Sequence, residues 1–438
     1  MLQPSDSLAT YLKTMGYSGS VNDMLYAYLI SINGLTFGSI SLNDLIHRTL
    51  VGWGYTGTLS DMIASFMAAT AGGGLANYPR SLFSANEQGI WLDPSDFSTL
   101  FQDAAGTTPV TAVGQPVGLA LDKSKGLVLG AELLPSFDFT NWTNAGSVSS
   151  KTANSVTTSA GGGVYKAVPG YAAGKGYKLR LVGTTSVQIT VRCTSNSTGS
   201  INISVGAFDV TLNTQVTFND GLIYLALAGA GTATFTSISL REIAGNHAYQ
   251  TTSASRPTLQ QDSNGLYYLS FDGTDDGMAT PSIDFTGTDK MTAWAGVRKL
   301  SDAAAGIICE LSADRTANNG AFSLVSSGAP SFLFASKGTL DSTNTVTGNA
   351  SPISRVLTGI GDIAGDKADL RVNGSATPAT TDQGTGNYGN YPLYIGRRGG
   401  SSLPHNGRIY QLIIRGAASN VGQIAAGEAW CNSKTRAY

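Results

Sequence analysis

Asp369-Leu370-Arg371-Val372-Asn373-Gly374 alternates polar and apolar side chains and then stops at Asn-Gly. Alternation sends one edge of a strand into a core and leaves the other in water. Asn-Gly is the pair that best tolerates the two left-handed residues of a tight hairpin turn. The same pattern recurs in Val187-Gln188-Ile189-Thr190-Val191, in Ile201-Asn202-Ile203-Ser204-Val205 and in Thr234-Phe235-Thr236-Ser237-Ile238-Ser239-Leu240. From about Gly130 to Ile243 such strand signals return at intervals of about ten residues, as an all-β sandwich requires. Most of the 54 glycines stand between short apolar runs, where turns need them. The fold class read from this pattern is mainly β.

The chain has 438 residues, enough for two to four domains. Hydrophobic residues make up 42% and charged residues 13%, the latter well below the roughly 25% of an average soluble protein. That composition argues for a packed globular chain rather than disorder. A net charge of −2 and a pI near 5.9 leave no basic footprint for a phosphate backbone, so no nucleic-acid partner is expected. Cys193, Cys309 and Cys431 match neither a disulfide framework nor a zinc pattern and read as free thiols. Met1-Leu2-Gln3-Pro4-Ser5-Asp6 carries no signal-peptide features. The longest apolar run, Leu222 to Ala230, is about half a membrane span, so no membrane insertion is expected.

Residues 1–70 are of another kind. Ser20 with Asp23, Ser41 with Asp44 and Thr58 with Asp61 each place a capping residue three positions ahead of an acid, which opens a short helix. Met24, Leu25 and Tyr28, then Leu45 and Ile46, then Met62 and Ile63 supply the apolar faces. Helices this short must stack on neighbours. The segment reads either as a minor packing domain or as a docking or oligomerisation module, and 71–85, with Ala71-Gly72-Gly73-Gly74, reads as a linker. The G-Y-[ST]-G-x-[VL]-x-D-M repeats resemble the N-terminal segments of tailed-phage structural proteins.

Asp122-Lys123-Ser124-Lys125-Gly126 breaks off, and Ala244-Gly245-Asn246-His247-Ala248 resumes it more than a hundred residues later. Joined, the two resemble the D-K-S-G-x-G-N-H-A passage of bacterial and phage concanavalin-like (laminin-G-like) modules. Trp91 to Asp96, Gly114 to Gly118, Ser255 to Thr258 and Phe271 to Asp276 fit the same opening. The Asp369–Gly374 hairpin, Tyr394-Ile395-Gly396-Arg397 and Asn406 to Ile414 resemble the strands that close that sandwich. The resemblance implies one concanavalin-like β-sandwich, 86–127 plus 244–438, interrupted by a second domain at 128–243.

The insert opens with Glu132-Leu133-Leu134-Pro135-Ser136-Phe137-Asp138-Phe139 ahead of Trp142 and closes with Ser237 to Ile243. Both ends resemble those of jelly-roll carbohydrate-binding modules, with Pro135-Ser136 in place of Asn-Gly and Ser237 in place of a frequent Asp. Trp142 is the insert's one tryptophan, and reads either as a sugar-stacking face or as core.

Sandwiches of this kind also host glycoside hydrolases, whose chemistry needs two carboxylates flanking the scissile bond. The five glutamates, Glu87, Glu132, Glu242, Glu310 and Glu428, are isolated from one another, and the three histidines lie far apart, so no catalysis is expected. Candidate glycan-contacting residues are Asn387, Tyr388, Tyr391, Arg397, His405 and Asn406, which offer aromatic faces and polar donors. Asp272, Asp275 and Asp276 read as a turn, or alternatively as a structural calcium site; no other cofactor is expected. The combined expectation is a non-enzymatic phage-particle protein, a fibre, spike or decoration protein. Residues 1–70 would bind other virion proteins and the lectin-like domains a host-surface glycan. A homo-oligomer, a trimer above others, would gain avidity. The alternatives are a purely architectural virion protein and a polysaccharide depolymerase.

Overall fold

The structure is a computed structural model that describes Ile46 and residues 78–172, 175–192, 201–214 and 221–438. It is mainly β, with strands in three antiparallel sheets. The first runs Thr258–Gln261, Tyr267–Asp272, Asn406–Arg415, Lys290–Lys299, Ile353–Asp362, Lys367–Val372, Ser375–Thr377, with Gly89–Leu92 added on Asn406–Arg415. The second holds Leu100–Phe101, Leu119–Ala120, Ala248–Tyr249, Met278–Asp284, Asn390–Ile395, Gly306–Leu311 and the meander from Ala321 to Thr347. One core lies between them, with Ala293, Ala295, Leu412 and Ile414 from the first sheet against Ile308, Phe322, Phe334 and Leu393 from the second. The two sheets and the core between them form a β-sandwich, the fold class the strand pattern implies. Its Asn-Gly hairpin forms as expected: Asn373 and Gly374 have φ of 50° and 82°, and Val372 pairs with Ser375.

The strand Lys290–Lys299 is buried along nearly its whole length, because the first sheet is covered on both faces. Ala293, Ala295 and Val297 face the sandwich core, whereas Trp294 belongs to a separate cluster with Trp91, Val356, Ile413 and Cys431. The helix Val421–Thr435 closes that cluster. Asn420 caps its start in a reciprocal box with Gln423, and Arg436 ends it in the left-handed conformation at φ 46°. Gly427 lets the helix approach, since a Cβ there would stand 2.4 Å from the Trp294 ring nitrogen. No strand alternation signals this helix; the Asn420-x-x-Gln423 box was the available cue.

Strands from Leu129 to Ile243 pair among themselves in the third sheet around their own core of Phe139, Tyr177, Leu181, Leu225, Phe235 and Leu240. This segment leaves and returns at one place. Leu129–Glu132 pairs with Gly231–Ile243, and the Ala244 N–H donates to the Val128 carbonyl at 3.1 Å. Ala120 then pairs with Ala248, so the interrupted passage is rejoined in the second sheet.

Of the helix-face residues read at 1–70, Ile46 is helical and half-buried. Met24, Leu25, Tyr28, Leu45, Met62 and Ile63, the linker glycines and Cys193 lie outside the described residues.

Candidate ligand site

The glycan candidates read from sequence are not one site. Trp142 is 3% exposed and packs edge-on against Phe139 at 5.0 Å, so it offers no ring face to a sugar. Tyr388 is buried in the sandwich, its hydroxyl 2.7 Å from Ser336 Oγ. His405 is also buried, with Nδ1 3.0 Å from Ser326 Oγ, and burial beside Lys299 lowers its pKa to about 4. Asn387 and Tyr391 are more open, but donate to Thr286 O at 2.6 Å and Asn319 O at 3.2 Å. These two sit near the Asp284 end of the pair formed by Met278–Asp284 and Asn390–Ile395, whereas Arg397 sits beyond its Met278 end, roughly 20 Å of strand away.

Arg397 and Asn406 do come together with the acidic turn. Asn406 pairs with Asp272, and Arg397 donates to the Asp275 carbonyl at 3.1 Å and to Ser401 O at 3.0 Å. The carboxylates of Asp272, Asp275 and Asp276 each place an oxygen within 4.8 Å of the others. Burial raises the Asp272 carboxyl, but the N–H groups of Thr274, Asp275 and Asp276 outweigh it and hold it below the usual range. Burial, with the Asp272 charge, pushes Asp276 up to about 6. Asp276 Oδ2 accepts the Asp272 N–H at 3.0 Å, and Asp275 Oδ2 accepts Ser255 Oγ at 2.7 Å. Hydrogen bonds thus build this turn from within, and a hard cation would have to compete with them.

The five glutamates are all engaged with cations. Glu87 meets Arg415, Glu132 meets Arg241, Glu242 meets Lys175, Glu310 meets Arg398 and Glu428 meets Arg371. Glu310 is fully buried; burial raises its pKa although Arg398 Nε lies at 2.9 Å and the Arg315 N–H at 2.6 Å.

A cavity of about 460 Å³ opens instead on the outer face of the first sheet, just past the C-terminal end of the helix. Cross-strand register aligns its floor: Arg408 pairs with Arg298, and Arg298 with Ser354. Beside this row, Tyr268 and Tyr410 lie 5.1 Å apart, and the Arg408 guanidinium stands 4.5 Å over the Tyr268 ring. A register shift between Gly296 and Val297 leaves Tyr410 as an extra residue, so Tyr410 and Gln411 both stand between core-facing Ile409 and Leu412. The bulge aims Tyr410 into the cavity. Its hydroxyl donates to Asp262 Oδ2 at 3.3 Å. Asp262 Oδ1 accepts the N–H groups of Asn264 and Leu266, which shapes the turn at the rim. Thr435 and Arg436 close the helix side. Sequence reading missed this site, because its members come from five strands, a turn and a helix end.

No family model matches the chain, and no curated protein matches it. Solved structures do. One is the CBM40 of Ruminococcus gnavus IT-sialidase bound to α2,6-sialyllactose, at 18% identity and TM-score 0.27, covering 32% of this chain and 84% of that one. Another is Trypanosoma rangeli sialidase in complex with the inhibitor DANA, at 12% identity and TM-score 0.31, covering 42% of this chain and 29% of that one. A third is the botulinum neurotoxin type G receptor-binding domain, at 12% identity and TM-score 0.29, covering 41% and 47%. The chain therefore spans under a third of the sialidase and about half of the neurotoxin domain.

Proposed function

We propose that this chain is a non-enzymatic structural protein of a tailed-phage particle that holds a host-surface glycan on its lectin-like sandwich. The observation that carries the binding half is the polar cavity on the outer face of the first sheet, whose volume lies in the range of small-ligand sites, about 300–1,000 Å³. The ion pairing of every glutamate weighs against a catalytic pair built on glutamate, since a glycosidase needs two carboxylates, Asp or Glu, free to act on the scissile bond. In this reading 86–127 plus 244–438 form one interrupted sandwich and 128–243 an inserted jelly-roll spacer. Residues 1–70 dock on other virion proteins, and a trimer multiplies weak sites. Among the described residues no helix is long and apolar enough to cross a membrane.

The test is binding of the full chain to whole host cells and to a glycan array, with release of reducing ends from host polysaccharide followed in parallel. Saturable, sugar-competed binding without reducing-end release supports the proposal. Incorporation into particles without any cell or glycan binding replaces it with a purely architectural role, and reducing-end release replaces it with depolymerisation.

A further inference from the structure

We propose that the cavity selects an anionic saccharide, one carrying a carboxylate, sulfate or phosphate group, and that Arg298 and Arg408 hold the anion with Arg436 at the rim. This rests on the glycan-binding reading and names the ligand chemistry.

Arg298 and Arg408 are directly opposed on neighbouring strands, an arrangement that is destabilising without a counter-charge. Four other arginines of the sandwich are neutralised, Arg315 by Asp341, Arg371 by Glu428, Arg398 by Glu310 and Arg415 by Glu87, whereas Arg256, Arg355 and Arg397 donate to uncharged oxygens. Among the described residues no carboxylate lies within ion-pair distance of Arg298, Arg408 or Arg436. Asp262 is the one carboxylate lining the cavity, and both its oxygens already accept hydrogen bonds from Asn264, Leu266 and Tyr410. Arg298 uses one terminal nitrogen on Ser354 Oγ at 3.2 Å, while its buried Nε has no partner at all. A buried guanidinium edge left open costs free energy unless something accepts from it.

The shape of the site fits the same ligand. Arg408 occupies the Tyr268 ring face, so that ring is not free to stack on a sugar. Stacking instead pins the guanidinium at the cavity wall, beside the Tyr410 hydroxyl, with which it also shares a hydrogen bond, and a planar guanidinium suits carboxylate, sulfate and phosphate oxygens. Gln261 and Asn264 at the open rim offer the amides that sugar hydroxyls use. The site thus reads its ligand by charge and hydrogen bonds.

The test is calorimetric titration of the full chain with matched oligosaccharides, one neutral, one uronate-bearing and one sulfated, with inorganic sulfate alongside. The expected result is binding of an acidic oligosaccharide at least tenfold tighter than its neutral counterpart, weakening with salt. Arg298→Gln and Arg408→Gln should each lower that affinity at least tenfold. Neither variant should lower the melting temperature of the free protein, because each relieves an opposed charge; Arg436→Gln, at an exposed helix end, gives a third variant with little risk to folding. Equal affinity for neutral and acidic oligosaccharides, or acidic binding indifferent to all three variants, overturns the acidic selection and leaves glycan binding standing. Stabilisation by inorganic sulfate with no oligosaccharide bound overturns both.

Discussion

The Asp122 backbone N–H donates to His247 Nδ1 at 2.9 Å, and the Asp122 carboxylate accepts the Asn246 N–H at 2.7 Å, across more than a hundred intervening residues. Asp122 also accepts from Trp91 and Ser124, so one buried side chain ties together the strand before the interruption, the turn at it and the segment after it. His247 is held as the Nε2–H tautomer, with Nε2 3.3 Å from the Ile243 carbonyl. Gly176, which begins a strand of the third sheet, packs on this ring, where a Cβ would lie 2.4 Å from it.

That arrangement predicts an acid-sensitive junction. Burial lowers the His247 pKa from 6.5 to about 4, so between those values only the unfolded chain takes up the proton. Stability contributed by His247 is complete above pH 6.5, falls as pH drops toward 4 and levels off below, a loss of about 3 kcal/mol. His247→Asn keeps an acceptor for the Asp122 N–H and removes the titration. Denaturant melts from pH 7 to pH 4.5 should show a shallower decline for the variant; identical slopes would exclude His247 as the sensor.

Asp276 acts with the opposite sign. Burial and the neighbouring Asp272 raise its pKa from 3.8 to about 6, so its contribution is greatest at low pH and is lost as pH rises through that window. Asp276→Asn should therefore stabilise the protein at pH 8 by about 1 kcal/mol, after allowance for solvent screening, and do nothing at pH 4. Calcium added at pH 8 distinguishes the two roles of the turn. A rise in melting temperature in the parent that disappears in Asp276→Asn assigns an ion to the three carboxylates, and no rise in either assigns them to the turn alone.

Glu310 and Arg398 form a buried pair, and removing the cation strands a carboxylate without solvent. Arg398→Met should cost about 3–5 kcal/mol in urea unfolding at pH 7. The double variant Arg398→Met with Glu310→Gln should recover part of that loss; a double variant no better than the single one would show that packing, not the uncompensated charge, sets the cost.

Docking of the C-terminal helix depends on Gly427. Gly427→Val forces branched carbons against the rigid Trp294 ring and should destabilise by about 1–3 kcal/mol. Amide hydrogen exchange in Val421–Thr435 should accelerate more than exchange in the second sheet, which lies across the sandwich core. Uniform acceleration would mean that helix and sandwich unfold as one unit.

Much of the sandwich was legible because its signals are local or carried by resemblance. Asn373-Gly374 turns with positive φ because the pair tolerates it, and Leu119-Ala120, just before the D-K-S piece, pairs with Ala248-Tyr249, at the end of the G-N-H-A piece. The glycan candidates were less legible because polarity does not report direction. Tyr388 and His405 look available in the sequence, yet both point into the sandwich, where Ser336 and Ser326 satisfy them. The cavity gave no local signal. Arg298 and Arg408 are more than a hundred residues apart and meet through strand register, and Tyr410 reaches the site through a bulge that breaks the period-two rule.

By itself, then, the sequence determined the mainly β character and the Asn-Gly hairpin, since turn chemistry and alternation act over a few neighbouring residues. Tertiary structure alone decided which polar side chains face water, which charges lack a partner and where a cavity is left. Those follow from register between distant strands and from where the helix Val421–Thr435 stops short of covering the sheet.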